Sequence, residues 1–438
     1  MAQAGSRLNT EAPLRIALVH AADFGGGAER SVVSLHRGLR AAGHASTLFV
    51  GEQKTDEPGV VKIPYVRGIP GSRRIARQLE RSFGWQDIYN PSFRRLAKLL
   101  EGRFDIVHFH SLWGSSGYAD LSALPAITRR IPGVLTLRDY WMLTGHCAVF
   151  MDCQRWKTGC GQCPDLALPP AIPRDGTHAN WLRKRRLIAR SNLHVVTISD
   201  EVKQRVAESP IFAGKPVTRI YNGINLSVFR PAPPDLRQQQ RRALGISEGE
   251  VVVLLAGQAV EWHRFGIATH HAVDAVNALQ GMEGVRALVI GRSAAHVAGL
   301  LKVPSIVLPY QSEPEAMARC FQAADITLVS SEVETFGRIG AESQACGTPV
   351  VSFDSGGIPE VVPHGVGGLV VQRRDTAALA AALVQLAGDP ALRRQFADGG
   401  RAHVVANFDD SHIVDRYLSL YRNVLARRDG SMGPGHQR

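Results

Sequence analysis

Long apolar runs are missing from this chain of 438 residues. No stretch approaches the roughly 20 apolar residues that a membrane-spanning helix needs. The first 13 residues are polar and lack the apolar core of a secretory signal. We therefore expect a cytoplasmic protein. Repeats at a fixed short period are also missing, which excludes solenoid folds.

Acidic residues are outnumbered, at 39 against 51 Lys and Arg, and the formal net charge is +12. Such an excess favours polyanions or anionic surfaces as partners. No nucleic-acid recognition motif accompanies the basic clusters, so we expect no nucleic-acid partner. In "GSRRIARQLERSFGW", arginines surround an apolar stripe of Ile75, Leu79 and Phe83. This pattern indicates a helix that either docks on an anionic membrane or packs its stripe on the protein.

Cysteine is scarce, and four of the six cysteines lie close together with the spacing C-x5-C-x6-C-x2-C. Without a secretory signal, disulfides are not the default interpretation. The spacing leaves open a structural zinc site with a chelating C-x2-C end, reduced packing cysteines or a labile disulfide. The other two, Cys320 and Cys346, are expected in the core. The four clustered residues are Cys147, Cys153, Cys160 and Cys163.

What the chain does contain is a regular alternation of short β-branched runs with helix-length segments, which predicts parallel α/β structure. The length favours two domains. Prolines 231, 233 and 234 and the polar stretch after them indicate a linker without regular structure. We therefore predict domains at 1–230, with a cysteine-rich insertion at about 145–165, and at 231–407, then a helix at 408–428 that crosses back and a disordered tail at 429–438. Strands are predicted at 16–20, 47–50, 105–108, 134–137, 195–198, 251–255, 287–290, 305–308, 326–329, 349–353 and 368–371.

The segment "SSEVETFGRIGAESQACG" ends one apolar run and begins a helix from about Arg338 to Gly347. Ligands of open parallel sheets bind beyond the carboxyl ends of the strands, where helix amides can hold anions. Gly337 would let the backbone approach a phosphate. Glu334 and Glu342 could accept paired hydrogen bonds from sugar diols, which would describe a nucleotide-sugar site. Spacing alone also allows both to be solvated residues.

The longer stretch "ETFGRIGAESQACGTPVVSFDSGGIPEVV" resembles the donor-binding signature of retaining GT-B glycosyltransferases of family four. The stretches "FGGGAERS", "DIVHFHSLWG" and "IYNGINLSVF" fall at the family's expected places, so the similarity spans nearly the whole chain. It implies an α/β GT-B fold, with two Rossmann-like domains that face a central cleft. The first would bind mainly the acceptor and the second mainly the donor.

The activity that the resemblance implies is that of a retaining hexosyltransferase. A sugar would move from a UDP- or GDP-sugar donor to a glycan or lipid-linked acceptor in polysaccharide biosynthesis, by front-side substitution. The donor phosphate would help to remove the acceptor proton, so neither a protein nucleophile nor a cofactor is required. A lipid-linked acceptor would suit peripheral docking on the inner face of the membrane.

The resemblance also assigns roles to residues. Glu334 would bind hydroxyls of the transferred sugar, and Glu342 the ribose diol. Backbone donors to the diphosphate or sugar would come from Phe336, Gly337 and Arg338. The remaining candidates are Gly26 and Gly27, which would close over the diphosphate, Tyr310, which could pack on the base, and His110, a catalytic candidate.

The strand "DIVHFH" places His108 and His110 on one face, because side chains repeat every second residue. We expect strand-end histidines to hydrogen-bond ligands or neighbours, and a metal pair is the less favoured alternative.

The chain departs from the family pattern at two places. Arg138 precedes Asp139 where the family has His-Asp, and could contact sugar or phosphate instead. Gln258 stands where an Arg is common, and Phe265 where a Lys is expected. Arg264 is then the best cation to stabilise the leaving nucleotide.

Two other functions stay open at this point. The departures allow a catalytically silent nucleotide-sugar-binding partner subunit. A dinucleotide oxidoreductase is less favoured, because Gly25, Gly27 and Arg30 fail the G-x-G-x-x-G pattern at its third place.

Overall fold

The structure is a computed structural model that describes residues 12–63, 72–114, 117–257 and 268–428. The predicted roles of Gln258, Arg264 and Phe265, and the tail at 429–438, lie outside these residues. Within them the chain forms two parallel α/β units, each built on its own sheet.

The first unit has a parallel sheet with the strand order β3-β2-β1-β4-β5-β6-β7. All five predicted strands are present. The two that were not predicted, β3 and β7, are three-residue edge strands without a fully buried residue. The order reverses between β1 and β4, so the carboxyl ends of these two strands open a crevice. The strands are β1 (Arg15–Ala22), β2 (Ala45–Glu52), β3 (Val60–Lys62), β4 (Ile106–Phe109), β5 (Gly133–Leu137), β6 (Leu193–Thr197) and β7 (Val217–Arg219).

The second unit has a parallel sheet with the order β10-β9-β8-β11-β12-β13. All six predicted strands are present, and the four inner ones are buried and read as continuous apolar runs. The order reverses between β8 and β11. Two doubly wound halves are thereby confirmed. The strands are β8 (Val251–Ala256), β9 (Val285–Ile290), β10 (Ser305–Leu308), β11 (Ile326–Val329), β12 (Val350–Phe353) and β13 (Gly368–Val371).

Helices connect the strands of both units and cover the sheets. The predicted pair near the C-terminus shows why they form here: Leu379, Leu383 and Leu386 are fully buried on one stripe. The Asp389 carboxylate then accepts a bond from the Leu392 N–H at 2.9 Å and starts the next helix. The helices are α1 (Gly27–Ala41), α2 (Ser72–Phe83), α3 (Pro91–Leu100), α4 (Leu124–Arg130), α5 (Thr177–Arg190), α6 (Asp200–Glu208), α7 (Pro234–Ala243), α8 (Thr269–Asn277), α9 (Ala294–Ala298), α10 (Pro314–Ala323), α11 (Arg338–Ala345), α12 (Ile358–Val361), α13 (Thr376–Gly388), α14 (Pro390–Phe408) and α15 (Asp410–Arg428).

The prediction that the linker has no regular structure is wrong from Pro234 onward. Pro234 is the first residue of α7, a position where a proline loses no helical hydrogen bond. Arg237 and Arg241 then tie the helix to the Asp325 carboxylate, at 2.7 and 2.9 Å. The polar stretch is therefore a surface helix of the second unit.

The last helix, α15, returns to the first unit and packs on its sheet beside α1. Its buried residues Val414, Tyr417 and Tyr421 join the apolar cluster of β1 and β2. The Tyr421 hydroxyl also lies 2.7 Å from Nδ1 of His108 on β4. The C-terminal segment therefore contacts both units, with α14 packed on the second and α15 on the first.

The apolar stripe of α2 is exposed at its two ends. Ile75 is 45% and Phe83 is 51% exposed, and Phe83 stacks on Trp85 with ring centroids 4.9 Å apart. Arg77 and Arg81 on the same helix are exposed as well. Leu79, the middle residue of the stripe, is half-buried, so the stripe packs on the protein only at its centre. Across the part of the chain that the structure describes, no helix combines the length and the apolar character needed to cross a bilayer.

Candidate functional site

The carboxyl end of β11 leads into a tight loop and then into α11. Gly337 caps this helix with φ +93° and ψ 49°, a left-handed conformation that glycine adopts without strain. A Cβ here would also lie 3.2 Å from Cγ1 of Ile358. At the other end Gly347, with φ +79°, terminates the helix. The predicted helix and both glycine positions are confirmed.

The second motif, "GGIPEVV", packs directly beneath this loop. The Gly357 N–H donates to the Glu334 carbonyl at 2.9 Å. A Cβ on Gly356 would come within 1.8 Å of the same carbonyl oxygen, so only glycine fits. The two glycines therefore fix the backbone that carries Glu334.

Glu334 is partly buried and precedes Thr335, whose hydroxyl donates to the Arg138 carbonyl of the first unit. The Ser331 hydroxyl lies 3.4 Å from its Oε1. Among the described residues, no Lys, Arg or His comes within 4.0 Å of its carboxyl group. Burial, against weaker hydrogen bonds, raises the pKa of Glu334 to about 7. The group can therefore accept or donate a hydrogen bond near neutral pH.

Glu342 is 1% exposed and carries a paired charge. Its Oε1 accepts from Nε of Arg338 at 2.6 Å and lies 3.8 Å from Nη2 of Arg30 on α1. Its other oxygen, Oε2, is buried and has no hydrogen-bond partner among the described residues. Arg338 also donates to the Ser31 hydroxyl at 2.8 Å, so this cluster joins the two units.

The glycine-rich loop of the first unit faces the start of α11. The Gly26 N–H donates to Oε2 of Glu29 at 2.8 Å, which caps α1. A Cβ on Gly27 would lie 3.2 Å from Cδ of Arg338. The structure thus brings Gly26 and Gly27 together with the α11 start, although it does not test their predicted contact with a diphosphate.

Two aromatic candidates have different places. Phe336 is 2% exposed and packs edge-on against Phe408, with centroids 5.4 Å apart, so its side chain belongs to the core and its backbone to the site loop. The Tyr310 hydroxyl donates to the Gly25 carbonyl at 3.3 Å across the cleft, and its ring lies 5.8 Å from the Arg292 guanidinium. Packing of Tyr310 on a base stays a prediction.

The two histidines of β4 and its following loop have different partners. Both ring nitrogens of His108 are used, by the Tyr421 and Thr136 hydroxyls at 2.7 Å each, which leaves none for a metal. His110 contacts Nε of Arg138 through Nδ1 at 3.3 Å, and its buried Nε2 has no hydrogen-bond partner in the described chain. Burial, and then His108 and Arg138, hold the pKa of His110 well below its ordinary value, so the ring is neutral.

Arg138 and Asp139 form the turn after β5. Asp139 accepts from Nε1 of Trp113 at 2.8 Å and from the Trp141 N–H at 2.8 Å, which fixes the turn. Arg138 donates from Nη1 to Oδ1 of Asn222 at 2.5 Å, and its carbonyl accepts from the Thr335 hydroxyl at 2.9 Å. Arg138 of the first unit therefore contacts Thr335 of the second unit, the residue that follows Glu334.

A cavity of about 920 Å³ lies between the units, beside this cluster. Its lining includes Gly25, Arg30 and Arg338. The volume is in the range of small-molecule sites. A second cavity of about 390 Å³ lies between the cysteine-rich insertion and the loop at Glu332.

Cross-domain contacts were missed by sequence reasoning. The Glu360 carboxylate accepts the Asp200 and Glu201 N–H groups, at 2.8 and 3.0 Å, and so caps α6 of the other unit. Asp152 of the insertion pairs with Arg374 at 2.6 Å. Only the acidic character of Glu360 was visible in the sequence, because its partners are about 160 residues away.

The four clustered cysteines line one small cavity of about 20 Å³ together with His146. Burial raises the pKa of Cys147 to about 12 and that of Cys160 to about 11, so these thiols are protonated at neutral pH. In the described parts of the chain, no three His, Cys, Asp or Glu side chains are placed so that they could hold a metal ion. Zinc at Cys147, Cys153, Cys160 and Cys163 stays a prediction, and metal analysis of the purified protein would test it.

Comparison with known proteins shows to which family the chain belongs. A family model described as glycosyltransferase family 4 matches residues 25–228, and one described as glycosyl transferases group 1 matches residues 237–403. This chain belongs to the family-four GT-B glycosyltransferases. The resemblance inferred from the motifs is thereby confirmed, and the two matches fall on the two α/β units of this family member.

Curated relatives of this family member include D-inositol 3-phosphate glycosyltransferases. The protein from Rhodococcus erythropolis is 29% identical over 270 residues, which cover 58% of this chain and 59% of that protein. The protein from Acidothermus cellulolyticus is 32% identical over 218 residues, which cover 47% and 48%. The chain therefore spans about half the length of these curated relatives.

Solved structures show the same architecture. Sucrose-phosphate synthase from Thermosynechococcus elongatus has a TM-score of 0.69 at 20% identity, and covers 94% of this chain and 100% of that one. Anabaena HepE, solved with UDP and glucose, has a TM-score of 0.66 at 18% identity and the same coverage. Identities this low establish the fold alone, and they confirm the predicted GT-B fold.

Proposed function

We propose that this protein is a retaining glycosyltransferase that moves a sugar from a nucleotide-sugar donor to a glycan or lipid-linked acceptor. The observation that carries the proposal is the pair Glu334 and Glu342, held on either side of Gly337 where the two units contact each other. An α-helix start can hold the donor diphosphate, while carboxylates accept the sugar hydroxyls. The solved structures of Anabaena HepE with UDP-glucose support a nucleotide-sugar as the donor class.

Each residue then has a chemical task. Glu342 binds the ribose hydroxyls through Oε2, the oxygen without a partner among the described residues. Glu334 orients the transferred sugar. The α11 amides after Gly337, together with Arg338, stabilise the charge that grows on the leaving diphosphate. Arg264 would add a second cation, and retention of configuration follows from the family resemblance.

We propose that the acceptor is built into a bacterial-type surface polysaccharide or glycolipid and that the protein docks peripherally on an anionic membrane. The exposed stripe of Ile75 and Phe83 on α2, flanked by arginines, supports this. Binding to vesicles of anionic phospholipid at low salt tests it. We expect Ile75→Ser with Phe83→Ser to abolish binding, and unchanged binding would contradict membrane docking by this helix.

A transfer and hydrolysis assay across UDP-, GDP- and ADP-sugars tests the enzymatic proposal. We expect turnover with one donor class, and loss of turnover in Glu334→Ala. Donor binding without turnover, with plausible acceptors present, would instead favour a silent nucleotide-sugar-binding subunit.

A further inference from the structure

Arg138 is a buried cation at the seam between the two units. Its side chain follows β5 and the residue is 8% exposed. Its hydrogen-bond partners are Nδ1 of His110 at 3.3 Å and Oδ1 of Asn222 at 2.5 Å. Both groups are neutral. A guanidinium has more N–H donors than these two contacts use, and Nη2 donates to no atom of the described residues.

A second buried arginine shows what is unusual here. Arg241 is also 8% exposed, but its Nη1 lies 2.9 Å from the Asp325 carboxylate. Arg138 has no carboxylate within 4.0 Å in the parts of the chain that the structure describes. Two equally buried arginines of one protein therefore differ in whether the protein supplies the counter-ion.

Arg138 cannot avoid the cost of its buried charge by losing a proton. Lys184, which is 1% exposed, has a pKa that burial lowers to about 7, so this lysine can become neutral. Burial also lowers the pKa of Arg138, but an arginine stays charged at any physiological pH. Tyr417, Glu29 and Tyr421 act against burial and raise the pKa of Arg138, whereas the like charge of Arg338 lowers it. A buried cation without a directly paired anion is unfavourable, so an anion from outside the chain would be bound strongly.

Other polar atoms nearby also lack partners. Nε2 of His110, the residue that contacts Arg138, is buried without a hydrogen-bond partner among the described residues, and so is Oε2 of Glu342. The Arg138 backbone is fixed by the Thr335 hydroxyl, next to Glu334. Arg138 itself lines a small cavity of about 10 Å³ together with Asn222 and Tyr417.

We propose that Arg138 binds an oxyanion of the substrate, and that this oxyanion is the carboxylate of a transferred acidic sugar such as a hexuronic acid. The inference rests on the proposed function. A planar guanidinium matches a planar carboxylate in two parallel hydrogen bonds. The donor diphosphate is the other source of the same chemistry, but Arg338 and the α11 amides already lie where it is expected.

The test compares three probes on the purified full-length protein by calorimetry: UDP, UDP-glucose and UDP-glucuronate, with the GDP series beside them. We expect the uronate donor to bind about ten-fold tighter than the neutral donor, because charge-assisted bidentate pairs are the stronger class. Arg138→Gln should reduce this preference to about two-fold or less and leave UDP binding unchanged. Arg138→Lys, which keeps the charge but loses the planar fork, should retain part of the preference.

The controls separate the outcomes. Arg130→Gln, on the surface and paired with Glu101, should behave like wild type. Thermal melting shows whether each variant is folded, and Arg138→Lys carries the test if Arg138→Gln is not. If the Arg138 variants lose affinity equally for UDP, UDP-glucose and UDP-glucuronate, then Arg138 binds an oxyanion of the diphosphate and not the sugar carboxylate. Unchanged affinity for all three probes in both Arg138 variants would overturn the proposal.

Failure of the proposed function can be distinguished from failure of the role of Arg138. If wild type binds none of the nucleotides, both proposals are wrong. If wild type binds and turns over a neutral donor with no preference for acidic sugars, and Arg138→Gln changes nothing, then only the role of Arg138 is wrong.

Discussion

The carboxyl ends of the strands form one edge of each sheet, and these two edges face each other across the cleft. They differ in whether they present hydrogen-bond acceptors or donors. The edge of the second sheet presents the carboxyl groups of Glu334 and Glu342. The edge of the first presents the Arg138 guanidinium and the His110 imidazole. One edge therefore offers mainly acceptors and the other mainly donors. A ligand with both hydroxyl groups and an anionic group would satisfy both edges at once, which a purely neutral or purely anionic ligand cannot do.

The edges also differ in how far the protein itself satisfies them. Arg338 is paired with Glu342 at 2.6 Å, so a ligand at the second edge competes with an existing ion pair. A ligand at the first edge meets the Arg138 cation, which has no carboxylate of the described residues within 4.0 Å. We infer that the second edge sets affinity for the common part of the donor, and the first edge discriminates between sugars.

The largest expected effect comes from removing the acidic edge. Glu334→Ala combined with Glu342→Ala should lower kcat/KM for every nucleotide-sugar by at least about 100-fold. Each lost hydrogen bond to a charged group is worth about 1.5–3 kcal/mol, and about 1.4 kcal/mol is tenfold. Steady-state transfer or donor hydrolysis measures it. Glu101→Ala, 55% exposed at its side chain, is the matched surface control. Full donor affinity in the double variant would refute the site.

A medium effect is expected from the two left-handed glycines of α11. Gly337→Ala and Gly347→Ala place a Cβ at φ +93° and +79°, so each should lower the free energy of unfolding by about 1–2 kcal/mol. Only Gly337 lies at the cleft, so only Gly337→Ala should also weaken donor binding. Chemical denaturation and calorimetry measure the two quantities.

Gly337→Ala and Gly347→Ala should have a similar cost in backbone strain but lie at opposite ends of α11. The two variants therefore separate an effect on donor binding from an effect on stability. A loss of donor affinity that is equal in both would mean that the helix matters only for stability. The start of α11 would then have no special part in binding.

The fold could be predicted wherever the signal was local. Central strands such as β1 and β8 are buried on both faces and read as apolar runs. The strands β3 and β7 gave no such signal, since each has three residues and lies at an edge. The prolines before α7 indicate a break in regular structure, but Arg237 and Arg241 of this helix bond to Asp325, which lies 84 residues or more away along the chain.

The site was predicted in part for the same reason. Gly337, Glu334 and Glu342 share one short segment, so their spacing and the family resemblance located them. The partners of these groups lie far along the chain: Arg338 reaches Ser31 over 307 residues, and Arg138 reaches Asn222 over 84. The first pair depends on how the two units meet and the second on how the first unit folds, and no local pattern records either.

The smallest effect is a pH dependence of Glu334, whose pKa burial raises from 4.5 to about 7. Between these pH values the folded protein binds the proton and the unfolded chain does not, so this group's contribution to stability falls as pH rises from about 4.5 to about 7, then stays constant. The ionised carboxylate is the better acceptor for sugar hydroxyls, so donor affinity should rise as this group ionises, at pH values around 7. Stability should therefore fall mainly below about pH 7, and affinity should rise mainly around and above it.

Glu334→Gln isolates this group, because Asp87 and Lys184 also have pKa values shifted to about 7 and are unchanged in the variant. Denaturation and donor titration at several pH values give the difference between wild type and variant, in which the other groups cancel. We expect the variant to gain stability relative to wild type as pH rises, and to lose the rise in donor affinity. A difference that does not vary with pH would mean that folding leaves the pKa of Glu334 at its ordinary value, and this prediction would then be wrong.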